Sequence, residues 1–111
     1  MSRPRINAGN AHKYINKNVT VIGEVTTITP HANTLTLLMP DDENLIVLLQ
    51  KNSTTIEPNL LTEVSGKLVS RGQIESNFIK QYSQKDTMLF NKSLYVEATN
   101  VFEAYRQHYD I

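Results

Sequence analysis

The three histidines are the side chains best suited to metal chemistry in this sequence, and their positions argue against a metal site. His12, His31 and His108 lie in three different predicted elements with no ligand-like spacing. The chain contains no cysteine, which excludes disulfides, thiol catalysis and thiolate ligands. The acidic run 41–43 lacks the spaced oxygen ligands and the glycine of a calcium loop, and we interpret it as a charged hairpin tip. We therefore predict no metal and no cofactor.

The sequence also shows no recognisable catalytic motif. The sequence offers no serine, histidine and aspartate in a triad-like order, no glycine-rich phosphate loop and no arguable pair of catalytic carboxylates. We predict that the protein is not an enzyme.

Nucleic-acid binding needs basic side chains and aromatic rings on which bases stack. The chain has 11 basic and 11 acidic residues, so its net charge is zero. Its five tyrosines and three phenylalanines avoid the whole stretch 15–77. Candidate phosphate contacts are therefore scattered, with Lys51 and Arg71 as the first candidates and Lys67 and Lys80 beside them. We expect weak or no binding of DNA by the chain alone.

The middle of the sequence predicts five strands. From residue 19 onwards, apolar residues recur at every second position in four stretches, a further stretch at 45–49 is continuously apolar, and turn residues separate the stretches. The predicted strands begin at Val19, Leu35, Leu45, Leu60 and Ile74. The fifth is expected to place Ile74, Phe78 and Tyr82 on one face, and residues 84–87 are expected to form a loop.

Two strands share a Val-x-Gly pattern, at Gly23 and Gly66. Glycine inside a strand marks a bulge, a bend or a close approach of another backbone. Two such strands fit a small sheet that coils sharply to close on itself. The sequence therefore predicts an all-β protein with a terminal helix: a five-stranded OB-fold barrel over residues 19–83, followed by a C-terminal amphipathic α-helix.

The N-terminal residues 1–18 form a polar extension, with a short helix expected after a cap at Asn7. This extension lacks the apolar run of a signal peptide, and no stretch of the sequence is long and apolar enough for a transmembrane helix. We expect one domain overall, in a soluble intracellular protein.

Residues 91–110 form the predicted C-terminal helix, capped by Asn91 or Ser93. On a helical wheel its apolar stripe covers an arc of roughly 120°. The stripe consists of Leu94, Tyr95, Ala98, Val101, Phe102, Tyr105 and Tyr109, whereas Val96 is an apolar exception on the polar side.

This stripe has two interpretations. It either packs on its own barrel or binds a helix from another protein. A five-stranded barrel already encloses its core, and tyrosine suits interfaces because it joins a large apolar body to a polar tip. We therefore predict that the stripe binds a partner and that residues 91–110 serve subunit assembly.

Short motifs along nearly the whole chain resemble the smallest subunit of replication protein A, the eukaryotic heterotrimeric complex that binds single-stranded DNA. These are Pro-Arg-Ile-Asn at 4–7, Tyr-Ile-Asn-Lys-Asn-Val at 14–19 with Val-Ile-Gly-Glu-Val at 21–25, Glu-Val-Ser-Gly-Lys-Leu at 63–68, and Leu-Tyr at 94–95. The departures are Ile6 in place of valine, Tyr14 in place of phenylalanine and Val96 in place of asparagine.

The resemblance implies an OB-fold whose C-terminal helix joins helices of the middle and large subunits in a three-helix bundle. It also implies a nuclear protein of DNA replication, repair and recombination that supports assembly while the other subunits bind most of the DNA. Two alternatives remain. One is the small OB subunit of the telomeric single-strand-binding complex, and the other is a stand-alone OB protein that binds RNA or single-stranded DNA.

Overall fold

The computed structural model describes residues 4–50 and 56–109, apart from the side chains of Pro30 and of residues 105–109. The strands are β1 (Asn18–Thr29), β2 (Thr34–Leu38), β3 (Asn44–Leu48), β4 (Leu61–Ser70) and β5 (Gln73–Gln81). The helices are α1 (Gln84–Leu89) and α2 (Lys92–Tyr109), and two 3₁₀ helices span Ala8–Tyr14 and Pro30–Ala32. Neither α-helix in these ranges combines the length and hydropathy that membrane crossing requires.

The strands form a closed barrel in the order β1-β2-β3-β5-β4. The long strand β1 closes it, because its first half pairs with β4 and its second half with β2. Strands β3 and β5 are parallel, and all other pairs are antiparallel. The predicted five-stranded OB-fold barrel is confirmed.

Aliphatic side chains fill the barrel. Val21 of β1, Leu37 of β2, Val47 of β3, Val64 of β4 and Ile74 of β5 are all fully buried. They come from alternate positions, as expected for strands that present one face to a core. Hydrophobic burial of these side chains is the main source of the barrel's stability.

The two strand glycines lie where another backbone approaches closely, as their positions predict. A Cβ at Gly66 would overlap the carbonyl oxygen of Glu75 and lie 2.8 Å from its carbonyl carbon. A Cβ at Gly23 would likewise overlap the carbonyl oxygen of Leu38. Any other residue at these positions would therefore force neighbouring strands apart.

The expectation that Phe78 shares a face with Ile74 is wrong. Ser65 pairs with Phe78 whereas Gly66 pairs with Ser76, so β5 carries one extra residue, Asn77, at this point. A bulge of this kind exchanges the two faces of the strand beyond it. Phe78 is consequently exposed, and its neighbour Ile79 packs against the core instead.

The expectation of a loop at residues 84–87 is also wrong, because this stretch begins α1. The Ser83 side chain caps the helix by accepting a hydrogen bond of 3.1 Å from the Asp86 N–H. Thr87 then links α1 to β4, since its hydroxyl accepts a hydrogen bond of 2.9 Å from the Leu61 N–H. A helix of only six residues with these contacts needs little apolar patterning, so the sequence carries no clear signal for it.

The N-terminal residues 4–14, called the N-terminal segment below, lie along the free edge of β1. The Ile6 N–H donates to the Thr20 carbonyl (3.1 Å), and the Thr20 N–H donates to the Pro4 carbonyl (2.9 Å). The predicted helix after Asn7 is present as the 3₁₀ helix Ala8–Tyr14, and the Asn7 side chain caps it. Ile6, Ala11 and Tyr14 join the hydrophobic core. The segment thus lies between the barrel and α2.

Candidate assembly interface

Helix α2 begins at the predicted cap. The Asn91 side chain accepts a hydrogen bond of 2.9 Å from the Leu94 N–H, which satisfies one of the free donors at the helix start. The ring of Phe90 packs beside that of Tyr95, with 5.7 Å between the ring centroids. These contacts fix the direction in which the helix leaves α1.

The inner face of α2, made of Tyr95, Thr99 and Glu103, contacts the N-terminal segment through polar groups. The Asn7 side-chain amide donates hydrogen bonds to the Thr99 hydroxyl (2.7 Å) and to the Asn100 side-chain oxygen (2.8 Å). Thr99 is buried at 5% exposure, so this contact is shielded from water. Buried hydrogen bonds are directional, and these therefore fix the rotation of the helix about its own axis.

Glu103 extends this polar contact by one helical turn. It accepts a hydrogen bond from the Tyr14 hydroxyl and lies 3.7 Å from the Lys13 ammonium. Because the Tyr14 ring belongs to the barrel core, the hydroxyl at its tip joins α2 directly to that core.

Tyr95 also faces its own chain, although the wheel groups it with the partner stripe. Its hydroxyl donates a hydrogen bond of 3.4 Å to the Ile6 carbonyl. Burial raises the pKa of Tyr95 to about 12, against an opposing effect of the nearby Arg5 guanidinium. Tyr95 thus already serves as a contact between α2 and the N-terminal segment.

A charged cluster anchors the same segment to the barrel. Arg5 forms an ion pair with Glu63 of β4 at 2.7 Å, and the Tyr82 hydroxyl donates to the same carboxylate oxygen at 3.3 Å. Burial and the Glu63 charge both raise the pKa of Tyr82. The N-terminal segment is therefore attached to the barrel on one side and to α2 on the other.

The outer face of α2 carries the other described members of the predicted stripe: Leu94, Ala98, Val101 and Phe102. The exposed fractions of Leu94, Val101 and Phe102 are 61%, 62% and 50%. Tyr105 and Tyr109 continue the stripe along the helix, but their side chains lie outside the described residues. The chain therefore presents a row of apolar side chains to solvent. A row of this kind is typical of a protein-binding surface.

Val96, the apolar exception on the wheel, has a place in the structure. It is half-buried on the flank of α2, where it faces the loop after β2 and lines a groove with Pro40 and Asp41. Sequence reasoning did not find this site, because the groove joins positions separated by more than fifty residues. An isolated valine among polar neighbours was the only signal.

The candidate nucleic-acid residues that the structure describes are exposed on the barrel. Arg71 is exposed at the β4–β5 turn, and Lys51 lies outside the described residues. Lys67 and Lys80 are exposed, and the Lys80 ammonium lies 5.0 Å from the centroid of the Tyr82 ring. In the described part of the chain, Lys67, Arg71 and Lys80 do not line a common pocket.

The side chains considered for metal chemistry are dispersed in the structure. His12 and His31 are exposed on different 3₁₀ helices, and the His108 side chain lies outside the described residues. Asp41 accepts a hydrogen bond of 3.1 Å from the Gly9 N–H, so it links the β2–β3 loop to the N-terminal segment. Among residues 4–50 and 56–109, no three histidine or carboxylate side chains are close enough to hold a metal ion.

A protein family matches almost the whole chain. The sequence profile described as Replication factor A protein 3 matches residues 1–109. The chain belongs to this family. The resemblance to the smallest subunit of replication protein A is thereby confirmed. A comparison with curated proteins gives no significant match.

Solved structures share the fold. A chain of U. maydis replication protein A bound to ssDNA is 23% identical, with a TM-score of 0.78 and 96% of each chain covered. A chain of the S. pombe Stn1–Ten1 complex is 12% identical, with a TM-score of 0.69 and 94% of each chain covered. The telomere capping protein Ten1 from S. pombe is 11% identical, with a TM-score of 0.70 and coverage of 93% of this chain and 99% of that one.

Proposed function

We propose that this chain is a non-enzymatic assembly subunit of a heterotrimeric complex of the replication protein A type, which binds single-stranded DNA. In this proposal the outer face of α2 packs against one helix from the middle subunit and one from the large subunit, forming a three-helix bundle. The complex acts in the nucleus, in DNA replication, repair and recombination, and its other subunits make most of the contacts with DNA.

The observation that carries the proposal is the orientation of α2. Its polar inner face is bound to the N-terminal segment, whereas Leu94, Val101 and Phe102 are exposed on the other side. A helix that only covered its own barrel would turn its apolar face inward. Because this helix does the opposite, its apolar side chains are free for helices of other subunits.

The barrel surface supports the second half of the proposal. The outward side chains of β2 and β3, where OB-folds usually bind oligonucleotides, include Thr36 and Ile46. These strands contain no aromatic residue, and stacking on an aromatic ring is worth about 1–3 kcal/mol per base. Without stacking rings on β2 and β3 and without net positive charge, we expect the isolated chain to bind single strands weakly.

The test compares two preparations: the isolated chain, and the chain coexpressed with the middle and large subunits of replication protein A from the same organism. Binding of single-stranded DNA is measured at about 50 and 200 mM salt, because phosphate contacts weaken steeply over this range. We expect the isolated chain to self-associate through its outer face and to bind DNA weakly, and the coexpressed assembly to bind tightly. Tight binding by the isolated chain would instead favour a stand-alone OB protein that binds RNA or DNA.

A second candidate is the small OB subunit of a telomeric single-strand-binding complex. The similarity of the fold to S. pombe Ten1 favours it, with a TM-score of 0.70. Purification of the tagged chain from its own organism distinguishes the two, since each candidate predicts different copurifying subunits. Recovery of a telomeric partner without the replication protein A subunits would replace the first proposal by the second.

A further inference from the structure

A shallow groove of about 610 Å³ runs between the flank of α2 and the loop that joins β2 to β3. Pro40 and Asp41 form one wall, and α2 contributes the other from Ser93 to Ala104. These eleven steps along the helix correspond to about 16 Å, or three turns. The groove is therefore long enough to accommodate several consecutive side chains of a partner.

The lining combines apolar and acidic side chains. Pro40, Val96, Val101 and Ala104 provide the apolar surface, and Asp41 and Glu97 provide the carboxylates. No lysine, arginine or histidine is among the described residues that line it. The neighbouring Asp42 and Glu43 are exposed and add to the negative charge of the same loop.

The carboxylate of Asp41 is only partly satisfied by hydrogen bonds within the described part of the chain. Its Oδ2 accepts the Gly9 N–H, whereas its Oδ1 is buried and has no hydrogen-bond partner in the described part of the chain. An unsatisfied buried carboxylate oxygen is unfavourable, and an added cationic donor would relieve this.

The groove is continuous with the outer face of α2, because Val101 belongs to both. A helix packed on the outer face would therefore extend its side chains over the edge into the groove. Lysine and arginine fit such a site, since their methylene stems pack on apolar surface while their charged ends reach carboxylates.

We propose that this acidic groove binds lysine or arginine side chains from the middle-subunit helix that packs on the outer face of α2. The inference rests on the proposed assembly function and adds to it a charge requirement on the partner. The outer face supplies apolar contact, which many helices could satisfy. The groove selects among them, because a helix with acidic residues at the matching positions would be repelled.

The experiment measures the affinity of the chain for the middle subunit of replication protein A at about 50 and 500 mM salt, where screening differs strongly. Glu97→Lys should weaken binding about tenfold at low salt, because it replaces attraction by repulsion. Glu97→Gln should weaken it about two- to fivefold, the range for a partly exposed ion pair. Ala104→Lys, which adds a positive charge elsewhere in the groove, should act in the same direction. For all three variants the difference from the wild type should shrink at high salt.

Glu75→Lys is the matched control, because Glu75 is an exposed acid on β5 that does not line the groove. Circular dichroism and thermal unfolding check that each variant keeps its fold. If Glu97→Lys binds no more weakly than Glu75→Lys while Phe102→Ala strongly weakens binding, the groove inference is wrong and the assembly function stands. If the wild-type chain does not bind the middle subunit at all, both are wrong.

Discussion

The barrel and helix α2 bury opposite kinds of side chains. Inside the barrel, Val21, Leu37 and Val64 are aliphatic and fully buried, and their side chains form no hydrogen bonds. Under α2, beside the ring of Tyr95, the buried contacts include polar pairs such as the hydrogen bond from Asn7 to Thr99. The most apolar side of the helix instead faces solvent.

The two kinds of contact have different roles: one stabilises the barrel and the other orients α2. Burial of apolar surface stabilises the barrel without regard to direction, whereas hydrogen bonds between fixed partners orient α2 at a small net gain in stability. An orienting polar contact leaves the apolar residues of the helix free for association. The barrel is thus a stable support, and α2 is held in position with its apolar side towards solvent.

The sharpest test of this division uses two phenylalanines of similar exposure, Phe102 on α2 and Phe78 on β5, at 50% and 56%. We expect Phe102→Ala to weaken binding to the middle subunit by about 3–5 kcal/mol, the cost of removing a ring that is buried in the complex. Phe78→Ala should leave binding within about 0.5 kcal/mol of the wild type. Titration calorimetry of both variants measures the difference. Equal losses would mean that the barrel surface belongs to the interface as well.

Barrel closure is tested at Gly66. Gly66→Ala places a methyl group against the Glu75 carbonyl, and we expect it to lower the free energy of unfolding by about 3 kcal/mol. Gly72→Ala is the matched control, because nothing lies within 4 Å of a Cβ added there. Urea denaturation of the two variants measures the effect. A Gly66→Ala protein as stable as the control would show that β4 and β5 can separate at little cost.

The ionisation of Tyr95 provides a probe of the inner face. Its folded-state pKa is about 12, whereas a tyrosine in an unfolded chain has a pKa of about 10. The neutral form is therefore favoured in the folded state, and this contribution is present below about pH 10 and lost as the pH rises to about 12. We expect the loss to be about 2–3 kcal/mol larger in the wild type than in Tyr95→Phe, in which the raised pKa of Tyr82 still contributes. Urea denaturation measures the free energy of unfolding of both proteins across this pH range. The same dependence on pH in both proteins would mean that the burial of Tyr95 does not matter.

Much of the barrel could be predicted because its signals are local. Alternating apolar residues predicted four of the strands and a continuously apolar run predicted the third, and the glycines at 23 and 66 indicated a bulge, a bend or a close backbone approach. The errors came from features without a local signal. The bulge at Asn77 depends on how β5 pairs with β4, and it reversed the predicted orientation of Phe78. Helix α1 depends on a cap and on one contact with Leu61.

Prediction of the two faces of α2 was limited in the same way, because only local patterns are visible in the sequence. Helical periodicity in the sequence predicted that Leu94, Val101 and Phe102 share one side of α2, where all three are exposed, and their partner-binding role stays a prediction. Periodicity could not assign Tyr95 to the inner face, since the partner of Tyr95 is the carbonyl of Ile6 at the other end of the chain. The inner face is made by such long-range polar pairs, which leave no periodic pattern.

Asn7 offers the finest test of how α2 is held. Asn7→Ala removes the cap of the 3₁₀ helix and the hydrogen bonds to Thr99 and Asn100, and we expect a loss of about 1–2 kcal/mol in the free energy of unfolding. The loss should be uneven: hydrogen exchange should accelerate in α2 while the amides of the barrel strands stay protected. Asn44→Ala, at an exposed position in β3, is the control and should stay within about 0.5 kcal/mol of the wild type. Uniform acceleration across barrel and helix would mean that Asn7 stabilises the whole fold. Acceleration confined to α2 would mean that the helix is oriented by its polar contacts, as the contrast with the barrel predicts.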